Sequence, residues 1–581
     1  MDVITAVRLT TPEPDLPTLS ICGNDSRALA EWVMGLPLAN TQLTADRLVI
    51  ATEEIARVQV SAETRLELLE TIRATLEYIC SRLDNSASNS EAGEDRSKIA
   101  QRLQTNLTVG YKAVVRDANP AKDSEREIIP IACHRTMSGL SQTLLRSCQH
   151  YVAPSVNLWL ELNQIFKVAE QMEFADIKFE DPETEAPVAL SLSELYRRTL
   201  LLACAKPNQL RSRQLTQVYN ALESWVAETK LTDDADAALF CIDLDKDEPP
   251  RYTRLVKERS APSLRGLQTS VLVYELEAFV RGDDHRVAIP ENFEIPMVNH
   301  LAACWGEIAK RSFRRAPASG PMKVALGMRA AHYFISGGVS FANQLSGADA
   351  LIKREINPFM PFKLDTPAET ALDPWARRIP ENPNIIEPEK ILVDANKTEE
   401  VSEDLSIYDT EIVDTSPGGY RIAWKSETPS NLQAGDIMAV REAEDERWCI
   451  SVLRWVRHLD GETQTGLELM APRAIPVAIR VIKKKGGLSD YSRALLLPDM
   501  AAIRQPATLI APAILFQEQQ KIHLQRQGIQ ATAQLQEERL RTETFIQFTF
   551  RMLDGYLENS SIDLNIEAPR DVSGSSATAE N

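Results

Sequence analysis

The residues best suited to chemistry stand together at Asp414-Thr415-Ser416-Pro417-Gly418-Gly419. A carboxylate there accepts hydrogen bonds, a serine hydroxyl donates one, and glycines in a tight turn bring backbone N–H groups close to a ligand. Arginine would complete such a site, because its planar fork grips a phosphate at two points and also stacks on flat rings. Arginines in this part of the sequence include Arg421, just past the turn, and the adjacent Arg377 and Arg378 in PWARRIP upstream of it. The chemistry implied is recognition of a small anionic ligand.

A turn of this kind needs strands on both sides. Tyr420–Lys425 alternates, with Tyr420, Ile422 and Trp424 on one face and Arg421 and Lys425 on the other. Further strands are expected at 436–441, 447–457, 464–470 and 474–482, with turn signals at EDE and DGE between them. Short strands at this spacing favour a barrel or sandwich over a parallel sheet. Beyond 485, SRALLLPD, ATLIAPAILF, KIHLQRQ and TFIQFTFRML look extended as well, either lengthening the barrel or forming a second one; QATAQLQEERLR reads equally as helix.

The rest of the chain is built differently. Residues 1–353 read mainly as helices, most clearly at 64–83, where Leu66, Leu69, Ile72, Leu76, Ile79 and Leu83 form one apolar stripe. Further helices are expected at about 135–173, 191–206, 211–229, 264–281 and 293–313, with a polar mobile loop at 84–98. Pro207 should stop one of them, since proline cannot continue the hydrogen-bond ladder. Two extended segments, Ala238–Leu244 and Met322–Leu326, are expected to pair as a small sheet beside the helices. The fold class is therefore multidomain α+β. Its expected parts are a helical region at 1–353, a proline- and acid-rich linker at 354–405, a β-barrel at 406–485, a β-rich extension at 486–560 and a disordered tail at 561–581.

The β region resembles a PilZ domain. Asp414–Gly419 fits that family's D/N-x-S-x-x-G turn, Leu432-Gln433-Ala434-Gly435-Asp436 its L-x-x-G-D turn, Val452–Val456 its Val- and Trp-containing strand, and Gly466-Leu467-Glu468-Leu469 its G-hydrophobic-x-F. The resemblance implies that the ligand is cyclic di-GMP, held by Asp414, Ser416, Gly418, Gly419 and an R-x-x-x-R arm just upstream of the barrel. No R-x-x-x-R stands between 354 and 414, so Arg377, Arg378 or Arg421 would have to supply the arginines. A long helical region, GGYRI after the motif and further β-structure also resemble the FimW-type effectors of surface-attaching bacteria. That resemblance implies a role in type IV pilus or motility control through a protein partner. The alternative is a non-catalytic adaptor or scaffold whose barrel no longer holds nucleotide.

Other chemistries find less support. Cys133-His134 and Cys148-x-His150 lack the paired turns of structural zinc sites, so buried thiols are expected. The acids of Ile242–Asp247 lack the glycine and closing glutamate of a calcium loop. In RAAHYFISGG, ending at Gly338, the glycines follow the helical segment, which is a stop position and the wrong end of the dipole for an anion. Lys483-Lys484-Lys485 reads as a solvated turn. No nucleophile elbow, HExxH, Walker A or dinucleotide fingerprint occurs, so no enzyme is expected. A net charge of −19 argues against generic nucleic-acid or anionic-membrane binding, while leaving room for a local basic pocket. Eight cysteines without a CxxC, no signal-peptide pattern and no apolar run of membrane-spanning length make a soluble cytoplasmic protein the expectation.

Overall fold

The structure is a computed structural model. It describes residues 7–85, 91–179, 189–257, 261–307, 315–346, 405–425, 428–429, 432–442, 447–459, 461–483, 487–499, 506–526 and 529–553. The chain divides into two compact units, one built mainly from residues 1–312 and the other mainly from 313–428, 434–455 and 464–581.

The first unit is a helical assembly. Its helices are α1 (Ser26–Met34), α2 (Thr41–Arg57), α3 (Ala62–Asn85), α4 (Glu91–Asp117), α5 (Asp123–Gln149), α6 (Leu158–Gln171), α7 (Leu192–Cys204), α8 (Ser212–Trp225), α9 (Ser270–Arg281) and α10 (Ile295–Trp305). The stripe expected on α3 is the buried one: Leu69, Ile72, Leu76 and Ile79 are fully enclosed. Helix α4 begins within the segment expected to be a loop. The expected 135–173 helix is two helices, α5 and α6, broken at Pro154. The start of α6 is capped from a distance: the Asp247 carboxylate accepts from the N–H groups of Asn157 (2.7 Å), Trp159 (3.0 Å) and Leu160 (3.1 Å).

Short strands accompany these helices. Strands β1 (Lys178–Phe179) and β2 (Leu190–Ser191) pair with each other. Strands β3 (Lys230–Thr232), β4 (Phe240–Asp243), β5 (Arg251–Tyr252) and β6 (Leu264–Gln268) form a sheet in the order β3-β6-β4-β5. The 264–281 segment expected to be one helix is thus a strand followed by α9.

The second unit holds two closed antiparallel barrels. The first comprises β7 (Ala316–Leu326), β8 (Ile407–Ser416), β9 (Gly419–Trp424), β10 (Ile437–Glu442), β11 (Cys449–Leu459) and β12 (Glu462–Ala471), closed in the order β10-β11-β12-β9-β8-β7. The second comprises β13 (Ile475–Val481), β14 (Ser492–Leu497), β15 (Thr508–Pro512), β16 (Lys521–Arg526), β17 (Ile529–Arg541) and β18 (Phe545–Met552), closed in the order β13-β14-β15-β18-β17-β16. Two expectations change and one open alternative is decided. The extended segment at 322–326 does not pair with 238–244; it belongs to β7, which closes the first barrel between β8 and β10. The 474–482 strand opens the second barrel rather than completing the first. The Gln/Glu-rich run is strand β17: its alternate residues Ala531, Ala533 and Leu535 are buried, the last two in the second core.

Helices α11 (Gly327–Ile335) and α12 (Phe341–Ser346) follow β7 directly. Met328, Ala330 and Ala331 of α11 share a core with Ile437, Ala439, Ile450 and Val452 of the first barrel and Leu495, Leu497 and Phe545 of the second. Strand β10 is buried on both faces for this reason. The helix stops at Ser336, and Gly337 (φ 76°) makes the left-handed exit there. His332 is buried, 3.3 Å from the Val477 carbonyl of β13, and burial pulls its pKa down to about 4. Residues 354–404 and 561–581, expected to be linker and tail, lie outside the described residues.

Candidate functional site

Strands β8 and β9 meet in a hairpin that closes at the pair Ser416↔Gly419, so Pro417 and Gly418 form its tip. The hairpin is seated on β12: the Leu469 N–H donates to the Gly418 carbonyl at 2.9 Å. Gly419 permits that approach. Its φ is 146°, and a Cβ placed on it would lie 2.0 Å from the Leu467 carbonyl oxygen. The Ser416 hydroxyl donates to the Gly419 carbonyl at a long 3.4 Å.

Asp414 sits three residues before the tip, opposite Arg421 on β9 and opposite Pro317 on β7. Its carboxylate lies between two guanidinium groups. Arg315 Nη1 donates to Oδ1 at 2.6 Å, and Arg421 Nε stands 2.8 Å from Oδ2. The second contact is an ion pair without an aligned hydrogen bond, since the Arg421 Nε is shielded yet its N–H is not directed at an acceptor. The Asp414 side chain is 12% exposed, against 32% for Arg315 and 36% for Arg421. An enclosed carboxylate thus holds two partly exposed cations at the mouth of a turn rich in donors. Outer-strand pairs Lys425–Glu411 (3.1 Å) and Arg454–Glu468 (2.6 Å) flank them.

Of the residues singled out in the sequence, Asp414, Ser416, Gly418, Gly419 and Arg421 come together here. Arg377 and Arg378 lie outside the described residues. Arg315 is the residue that sequence reasoning missed. It stands immediately before β7, and in the sequence Arg311 precedes it by four positions, as R-x-x-x-R. Arg311 itself is outside the described residues. The signal was available: Met322–Leu326 reads as extended, and a barrel strand assigned there would have directed the search for an arm to RSFRR.

The other sequence features have structural roles. Cys133 is buried, and burial pushes its thiol pKa up; its neighbour His134 packs on the Phe179 ring at 4.7 Å. All eight cysteines are free, and no cluster able to hold a metal ion occurs among the described residues. Asp243 accepts from Ser263 (2.8 Å) and pairs with Lys246 (2.9 Å), Asp245 pairs with Lys167 (2.9 Å), and Asp247 caps α6. The Lys483 N–H donates to the Gly487 carbonyl.

A six-stranded antiparallel barrel with a D-x-S-x-x-G hairpin and an arginine at the head of its first strand defines a PilZ-type receptor domain, here between a helical region and a second barrel. The chain belongs to the cyclic-di-GMP receptor FimW family. It matches that family's N-terminal domain over residues 27–236, its middle PilZ domain over 239–476 and its C-terminal beta-barrel domain over 477–553. Among its relatives is the cyclic-di-GMP receptor FimW of Pseudomonas aeruginosa, 30% identical over 97% of this chain and 96% of its own length. The middle match begins far upstream of Asp414, in line with β7 being a barrel strand, and it ends where β13 begins.

Proposed function

We propose that this chain binds cyclic di-GMP at the outer face of the first barrel and acts as a non-catalytic receptor. The observation that carries the reading is Asp414 poised between Arg315 and Arg421 beside the Ser416–Gly419 turn. A cyclic dinucleotide presents two phosphates and two guanine edges. An arginine fork matches phosphate or guanine O6/N7, and a carboxylate accepts from guanine N–H groups. Binding would exchange partners, the ligand replacing the carboxylate at the arginines while Asp414 turns to a base edge. Ser416, Gly418 and Gly419 would supply the remaining donors. We give the arm to Arg311 and Arg315 in place of Arg377 and Arg378, because Arg315 already reaches Asp414.

The same reading extends to output. The 308–315 segment joins α10 of the helical unit to β7 of the barrel, so drawing it around a ligand would alter how the helical region is presented to a protein partner. The family resemblance suggests type IV pilus or motility control as the output and the cytoplasm as the compartment. No helix among the described residues is long and apolar enough to cross a membrane. Titration calorimetry with cyclic di-GMP tests the proposal. Micromolar or tighter binding is expected, weakened by Ser416→Ala. No heat at ~50 μM protein, where micromolar affinity would register, would favour the scaffold alternative instead.

A further inference from the structure

We propose that the outer face of the second barrel, across β13, β16 and β17, is a docking site for an acidic segment of a protein partner, separate from the ligand site of the first barrel. The case begins with parity. On these strands Val477, Ile479, Ile522, Leu524, Ala533 and Leu535 fill the second core. The residues between them therefore point outward. Register sets two adjoining rows there, Arg480–His523–Thr532 and Lys521–Gln534, the second running on to Arg551 of β18. Arg480 and Lys521 are diagonal neighbours on adjacent strands.

No carboxylate serves these cations. Residues 475–481, 521–526, 529–535 and 549–552 contain no aspartate or glutamate, although the whole chain carries a net charge of −19. Among the described residues none forms an ion pair with Arg480, Lys521 or Arg551. Asp490 is the acid nearest to Arg480 in sequence, and it too forms none. The Arg480 guanidinium lies 4.4 Å over the Tyr491 ring. Its Nε and the Tyr491 hydroxyl are both shielded from solvent without a hydrogen-bond partner. Lys521 and Arg551 are exposed, and Arg551 leans over β17, its Nη2 3.5 Å from Gln534 Oε1.

Folding alone does not favour this arrangement. Like charges on neighbouring strands repel, and shielded polar atoms without partners cost stability. Lysines often guard an exposed sheet edge, but this barrel is closed and has none. An incoming carboxylate relieves the repulsion by pairing with Arg480 and Lys521 together, while the amide of Gln534 and the hydroxyl of Thr532 suit a peptide backbone laid beside them. A nucleic acid fits less well. The net charge of the chain repels a polyanion, the Tyr491 ring is already covered by Arg480, and the two rows carry no other tyrosine, tryptophan or phenylalanine on which bases could stack. A membrane needs apolar side chains to insert, and both rows are polar throughout.

Fluorescence anisotropy on the full chain tests this, with a labelled dodecapeptide of alternating glutamate and serine as the probe and its glutamine–serine counterpart as the neutral control. The acidic peptide should bind saturably at about 0.05 M salt and weaken as salt rises, and the neutral one should not bind. Arg480→Gln combined with Lys521→Gln should weaken binding roughly 10-fold, with thermal unfolding as the check on folding. Replacing the exposed Arg27 and Lys98 of the helical unit by glutamine changes the net charge equally and should leave binding unchanged. Absence of saturable binding by the wild type, or native-like binding in a folded double variant, overturns the proposal. So does a labelled oligonucleotide or a phosphatidylglycerol vesicle that binds in the peptide's place and depends on Arg480 and Lys521.

Discussion

Replacing Arg315 by alanine separates a ligand contact from a structural ion pair. Arg315 donates to Asp414 at 2.6 Å, but its side chain is 32% exposed and Arg421 lies beside the same carboxylate. A partly exposed pair with a remaining partner contributes little, so folding stability should fall by no more than about 1 kcal/mol. Binding should suffer more. A charge-assisted contact to a phosphate is worth about 1.5–3 kcal/mol, and giving up the Asp414 pair offsets up to about 1 kcal/mol of it. The net expectation is about 1–2 kcal/mol, or roughly 5- to 30-fold weaker affinity. Arg315→Lys should fall between, because it keeps the charge and loses the fork. Calorimetry near 0.15 M salt gives the affinities, and denaturant unfolding gives the stability. Unchanged affinity in Arg315→Ala, with affinity lost when Arg377 and Arg378 are both replaced by alanine, would refute the assignment of the arm to 311–315.

Three further outcomes follow from named contacts. Gly419→Ala should destabilise the first barrel by about 2–4 kcal/mol, since its Cβ meets β12 backbone and its φ of 146° strains an alanine; near-native unfolding would mean that the hairpin can lift off β12. Asp247→Ala should cost about 1–2 kcal/mol, seen in denaturant unfolding of the helical unit, because three N–H groups at the start of α6 lose their acceptor. His332 is held neutral by burial with a pKa of about 4, below its unfolded value, so the unfolded chain binds the extra proton and stability falls as pH drops below about 6.5. Between pH 7.5 and pH 5 the loss should be about 2 kcal/mol, reduced in His332→Gln, and identical pH profiles of the two proteins would count against it.

How much of this was legible in the sequence differs by element, for physical reasons. The apolar stripe of α3 and the alternation of β9 could be read because each element buries one face and exposes the other, which imprints a period on the residue types. Strand β10 shows no such period: Ile437, Met438, Ala439 and Val440 are all buried, because the barrel interior lies on one side and α11 with the second barrel on the other. The division between β12 and β13 was hidden for a related reason. Both are apolar antiparallel strands separated by a short turn, and only the pairing partners reveal that Ile475 opens a new barrel. Strand β17 left helix equally open because glutamine and glutamate favour helices, yet its alternate Ala533 and Leu535 sit in the second core.

Arg315 escaped the sequence reading for a topological reason. A hairpin motif is local, so Asp414–Gly419 could be recognised from six consecutive residues. The arm is defined relative to the first strand of the barrel, and in this chain that strand is β7, separated from β8 by α11, α12 and the whole segment read as linker. A search that measures upstream from Asp414 meets only Arg377 and Arg378. A search that measures upstream from Ala316 meets Arg315 at once and Arg311 four positions earlier. Closing the barrel cancels the sequence separation: Pro317 pairs with Asp414, and Arg315 arrives within 2.6 Å of the carboxylate. Arg315 and Arg421 thus flank Asp414 within the first barrel itself, and the long insertion between β7 and β8 leaves that cluster in place. The insertion enters and leaves at neighbouring strands, so lengthening it adds a loop-closure cost that grows only slowly with length and moves none of the residues around Asp414.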